Sequence, residues 1–145
     1  MTFLPQPSYE SLDALGSGLR EALIPFIGER AVSLFSYAIA DARDSPVISA
    51  PLRKTLIDAG EDPDNPDVTE AEQLLIDWGR LIATTPGEIT TNFYARLEST
   101  FNPQLRLLLV AYASQLVAAT TFATVGQVAL DESLLEYRKP GDDRV

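Results

Sequence analysis

The stretch ERAVSLFSYAIADARDSPVISAPLRKTLIDAG, residues 29–60, reads as two helices separated by a proline break. Within residues 29–43, Ala31, Leu34, Phe35, Ala38, Ile39 and Ala42 recur at the i, i+3, i+4, i+7 spacing of one helical face. Asp44, Ser45 and Pro46 end that helix, because proline has no amide hydrogen and pushes the preceding residue out of helical geometry. A second helix is predicted over 50–59, with Ser49 as N-cap, Pro51 in the first turn and Gly60 as the left-handed stop.

Reading outward, residues 61–67 form an acidic, proline-broken loop, and Thr69-Glu70-Ala71-Glu72 is a capping box that starts a third helix. Ala71, Leu74, Leu75, Trp78, Leu81 and Ile82 are its expected buried stripe. Thr84 to Gly87 end it. A further helix over 88–101 is marked by Ile89, Phe93, Leu97 and Phe101, one turn apart. Asn102-Pro103 is an N-cap followed by proline at the first helical position, and it opens a long apolar helix to about residue 129. Upstream, Gly16, Gly18, Pro25 and Gly28 divide residues 8–28 into one or two short helices. No strand pattern, internal repeat or low-complexity tract stands out. The expected fold is all-α, a single-domain bundle of about six helices over residues 1–138, with 139–145 as a disordered tail.

Composition narrows the chemistry. The chain has 145 residues, 46% hydrophobic and 22% charged, which suits one globular domain. Its net charge of −10 repels phosphate backbones and anionic headgroups, so nucleic acid is not an expected partner. The first residues carry neither a basic nor an apolar leader segment, and with 0 cysteines a cytoplasmic location is expected. Residues 107–126 are uncharged and about as long as a bilayer span. Ser114, Gln115, Thr120, Thr121 and Thr124 interrupt them, so a central helix buried on most sides is expected rather than a membrane helix.

With neither His nor Cys present, His-dependent nucleophile triads, thiol redox chemistry and the usual zinc ligand sets are excluded. Any general acid or base has to be Asp, Glu, Tyr or Lys, and Lys54 is the one lysine outside the expected tail. A calcium loop counted from Asp62 would need glycine and glutamate where Asp67 and Gln73 stand, so 61–67 reads as a solvated acidic loop. No metal and no cofactor is called for. Tyr37 and Asp41 lie four apart on one side of the first helix, and with Ser45, Ser49 and Arg53 they are candidates for the polar end of a pocket. Gln115, if buried in the apolar helix, needs hydrogen-bond partners. Trp78, Phe93, Tyr94 and Phe122 read as core.

The string Asp44-Ser45-Pro46-Val47-Ile48-Ser49, leading into Arg53 through Gly60, resembles the alkylhydroperoxidase D-like, or carboxymuconolactone decarboxylase-like, superfamily. In redox members of that family a helix ends at Cys-x-x-Cys, a His follows four residues on, and the next helix closes with Ala-Gly. The order of elements over residues 31–134 is similar. On this resemblance the cysteines fall at Ser45 and Ile48, the histidine at Leu52, and the proton-relay glutamate near Ser33. None of these residues supports disulfide-based peroxide reduction. The resemblance implies a homo-oligomer of helical protomers and a pocket beside the second helix. Ile48 and Leu52 would make that pocket apolar, with Tyr37, Asp41, Ser45, Ser49 and Arg53 as polar contacts.

Two functions are thereby expected. One is a redox-inactive protein that binds a small, mostly apolar metabolite, with cofactor-independent cyclisation, isomerisation or decarboxylation as the attached chemistry. The other is a non-catalytic structural or regulatory paralogue that acts by assembly.

Overall fold

The structure is a computed structural model that describes residues 6–142, with side chains from residue 11 onward. Among the described residues there are five α-helices and two 3₁₀ segments, and no strand. They are α1 (Gln6–Ala42), α2 (Pro46–Asp58), α3 (Glu70–Thr84), α4 (Thr91–Thr100) and α5 (Pro103–Val125), with 3₁₀ turns at Pro86–Glu88 and Glu132–Tyr137. The fold is an all-α bundle.

Helix α1 is two helices joined at Gly28, whose φ of 84° and ψ of 161° are non-helical. Three residues earlier, Pro25 has no amide hydrogen to donate, so the backbone is already weakened where it breaks. The first half is longer and more continuous than the glycines at 16 and 18 led the sequence reading to expect. Helix α1 contacts α2, α3 and α5, and its second half is the axis of the molecule: Ala31 through Ala40 are all buried.

That arrangement corrects the expected centre of the bundle. Helix α5 is one-sided, with Leu109, Tyr112, Ala113 and Leu116 inside while Leu107 and Val125 are 75% and 77% exposed. Two segments, Ser11–Ala42 and Pro103–Val125, are long and apolar enough to cross a membrane, a property they share with core helices. In the main core, Phe35 packs at ring-centroid distances of 6.3 Å from Trp78 and 6.4 Å from Tyr112. Leu97 of α4, Leu109 and Leu116 complete it. Tyr94, expected as core, is instead 44% exposed, because α4 buries only the face that carries Leu97.

The capping signals behave as read. Thr69 accepts from the Glu72 amide while Glu72 accepts from the Thr69 amide, closing the capping box. Asn102 accepts from the Leu105 amide at 2.8 Å, with Pro103 at the first helical position. The start of α2 differs from expectation. It begins at Pro46 with Ser45 as N-cap, so Pro51 lies inside the helix and Ser49 in its first turn. Pro46 accounts for this: at the first helical position its missing N–H costs nothing, and the Ser49 amide bonds the Ser45 carbonyl at 2.8 Å. Gly60, at φ 84°, follows the end of α2 as expected.

The expected tail falls partly on residues 143–145, which lie outside the described residues. Lys139, assigned to that tail, donates through Nζ to Asp41 Oδ1 at 3.1 Å and returns the C-terminal segment to α1.

Candidate functional site

Helix α2 decides how the sequence-derived candidates are distributed. Positions one apart on a helix are rotated by about 100°, so residues 45, 49 and 53 point one way and residues 48 and 52 another. That rotation separates Ile48 and Leu52 from the rest, and position along the helix axis separates Arg53, beside Tyr37, from Ser45 and Ser49, beside Asp41, so the seven candidates lie in three separate environments.

The first environment is a buried arginine cluster. Arg53 is 4% exposed; its Nη1 and Nη2 donate to the two carboxylate oxygens of Asp64 at 2.7 and 3.0 Å. Nη1 also donates to the Tyr37 hydroxyl at 2.8 Å, and Nε to the Tyr137 carbonyl at 2.9 Å. The guanidinium lies 5.7 Å from the Tyr37 ring centroid. Burial pushes the Tyr37 phenol up from its ordinary value, and the Arg53 hydrogen bond holds the Asp64 carboxyl below its own. Tyr37 and Arg53 therefore hold the 61–67 loop, α2 and the C-terminal 3₁₀ turn together, and do not border the larger cavity described below.

Arg30 does the same for the other end of the loop. It donates to Glu61 at 2.7 Å, to Glu72 and to the Asp67 carbonyl, so the loop is the counter-charge of two arginines and not simply solvated. The carboxyls of Glu61 and Glu72 both lie below their ordinary values. For Glu61 the Arg30 hydrogen bond is the main cause; for Glu72, burial pushes upward and the Arg30 and Thr69 hydrogen bonds outweigh it.

The second environment is a polar recess of about 320 Å³ lined by Asp41, Ser45, Ser49 and the turn around Lys139. Asp41 is already bracketed by Arg80 at 3.3 Å and Lys139 at 3.1 Å. Lys54, the candidate amine, pairs with Asp58 four residues on and stacks 5.5 Å from the Tyr137 ring centroid.

Ile48 and Leu52 line the third and largest environment, a cavity of about 430 Å³ between the first half of α1, α2 and α5. Val47, Leu116, Phe122 and Val128 are among the residues of its remaining apolar wall. Its polar groups come from residues 13, 17, 20, 112 and 115, with the Thr55 hydroxyl on α2. Arg20 Nη2 donates to Ser33 Oγ at 3.1 Å, and Ser33, near which the resemblance set a glutamate, does not line the cavity. Ser36 Oγ lies 2.6 Å from the Val32 carbonyl oxygen and 2.7 Å from the Tyr112 hydroxyl. With its single hydrogen committed to Val32, Ser36 accepts from the Tyr112 O–H, which anchors that ring in the wall.

Gln115 is buried, as its place in the apolar helix required, and Nε2 donates to the Leu12 carbonyl at 3.0 Å. Its Oε1 has no partner among the described residues. The amide lies against Gly16, where an added Cβ would come within 2.7 Å of Nε2 and displace the Gln115 amide from its place.

No protein-family model, characterised protein or solved structure matches the chain. Nothing in these comparisons identifies the alkylhydroperoxidase D-like family, and that resemblance rests on the order and spacing of residues 31–134 alone. Chemically, the cavity offers a permanent cation, an amide side chain and an anchored phenol around an apolar body. Such a set can orient a ligand and stabilise developing negative charge. Arg20 was not singled out from the sequence. Its one available signal is the face formed by Leu12, Gly16 and Arg20, with small and polar residues where an apolar stripe would ordinarily continue.

Proposed function

We propose that the protein is a redox-inactive relative of the alkylhydroperoxidase D-like family that binds a small, mostly apolar metabolite in the cytoplasm. The cavity between α1, α2 and α5 carries this reading, because its volume of about 430 Å³ lies in the range of small-molecule sites. Its mixed lining also suits a ligand with an apolar body and a polar end. Ile48 and Leu52, where the family's second cysteine and histidine would fall, contribute hydrocarbon to it. Any catalysis there is cofactor-independent, by shape and by charge stabilisation from Arg20, with cyclisation, isomerisation and decarboxylation as the reaction classes such a site serves.

Native mass spectrometry of the protein purified from its own host tests the reading. A small organic molecule released on denaturation is the expected result. A ligand-free protein that also binds nothing from a host metabolite extract overturns it.

A second reading, assembly with copies of itself, is favoured by one observation. Leu107, Val110 and Val125 are exposed on the outer side of α5, which is otherwise uncharged beyond Arg106.

A further inference from the structure

Arg20 and Gln115 define what the polar end of the cavity recognises, and this inference rests on the binding reading above. Arg30, Arg53 and Arg80 each hold a carboxylate within 4.0 Å. Arg20 does not: among the described residues its one hydrogen bond is to Ser33, a neutral hydroxyl, although it is partly buried in the cavity wall. That bond uses one of the five N–H donors a guanidinium carries. A half-buried cation with no counter-charge beside an apolar cavity is costly until an anion joins it.

The second observation is independent of charge. Gln115 is 8% exposed and its Oε1 is unpartnered. The amide orientation follows from its surroundings, because turning it over would set Oε1 against the Leu12 carbonyl oxygen. The free atom is therefore an acceptor that needs a donor, and because it is itself buried the Gln115 side chain has to turn slightly for a ligand in the cavity to supply one. Gln115 packs against Gly16, and Arg20 lies one helical turn further along α1, so both groups belong to the same wall. Asp13, one turn to the other side of Gly16, is exposed at the rim, about 10 Å along the helix axis from Arg20.

We infer that the cavity takes a hydroxylated carboxylic acid with a hydrocarbon tail. The carboxylate pairs with the Arg20 guanidinium, a hydroxyl close to it donates to Gln115 Oε1 as that side chain turns toward the cavity, and the tail lies along Ile48, Leu52, Leu116 and Phe122. Planar bidentate pairing makes arginine suited to a carboxylate. The net charge of −10 disfavours anions over the surface at large, so selectivity has to come from the cavity itself.

Calorimetric titration of the full chain with decanoate, β-hydroxydecanoate, decanol and decylamine tests the assignment. Decanoate is expected to bind at least about tenfold more tightly than decanol or decylamine, the size of one charge-assisted pair, and β-hydroxydecanoate more tightly still. R20Q should lose the preference for decanoate over decanol while retaining decanol binding, which shows that the variant is folded. Q115L should lose the preference for the hydroxylated acid alone. Decanol or decylamine binding as tightly as decanoate to the unaltered protein overturns the carboxylate assignment and leaves the apolar cavity standing. Binding of none of the four overturns the cavity reading as well.

Discussion

Arg53 shows how a single buried charge organises this protein. Its side chain is 5% exposed and its partner Asp64 is 39% exposed, so the pair spans the boundary between core and solvent. Removing the carboxylate leaves a cation with Tyr37 and the Tyr137 carbonyl only. D64N should cost about 1–2 kcal/mol at neutral pH, less than a fully buried pair because water screens the exposed side. The acid dependence follows from the direction of the shift. Asp64 lies below its ordinary 3.8 in the folded chain, so its contribution is complete above that value and is lost as pH falls through the lower folded value. Urea denaturation as a function of pH should therefore show the wild-type advantage over D64N disappearing below about pH 4. An advantage that persists unchanged into that range would contradict the pairing.

At the scale of the element, α1 depends on where its glycines sit. Gly28, at φ 84° and ψ 161°, occupies backbone space that L side chains avoid, and it redirects the chain between the cavity-lining half and the buried half. Gly18 lies in regular helix with open space around its Cβ position. G28A should lower stability by about 1–3 kcal/mol, whereas G18A should raise it by up to about 1 kcal/mol through helix propensity. Thermal unfolding of the two variants checks this: a shared sign would mean that the break at Gly28 is not a required feature of the fold.

For the molecule as a whole, the unsatisfied feature is the outer side of α5. Leu107 and Val125 are 75% and 77% exposed, so replacing each by glutamate should leave folding stability within about 0.5 kcal/mol of wild type. If copies of the chain associate through α5, the double variant L107E/V125E should sediment as a monomer where the wild type does not. A wild type that is already monomeric at micromolar concentration in detergent-free buffer removes the assembly reading. Aggregation relieved only by detergent would instead favour a membrane surface as what α5 faces.

The helical class, the break at 44–46, the capping box at Thr69 and the start of α5 at Asn102-Pro103 were legible in the residues because each is set by local backbone chemistry. The absence of thiol and imidazole was equally plain and excluded whole reaction classes. Which helix lies at the centre was not legible. Residues 31–40 carry Ser33, Ser36 and Tyr37, yet all ten are buried, because Arg20, Tyr112 and Arg53 come from distant parts of the chain to satisfy those hydroxyls. The site divided for a similar reason. The order of Tyr37, Asp41, Ser45, Ile48, Ser49, Leu52 and Arg53 along the chain placed them in one neighbourhood, but the rotation of α2 sends only Ile48 and Leu52 to the large cavity. Arg20 and Gln115 meet them there across 95 residues of separation, through the packing of α1 on α5 at Gly16. Local periodicity determines which residues form helices; only tertiary packing decides which faces of those helices enclose the same space.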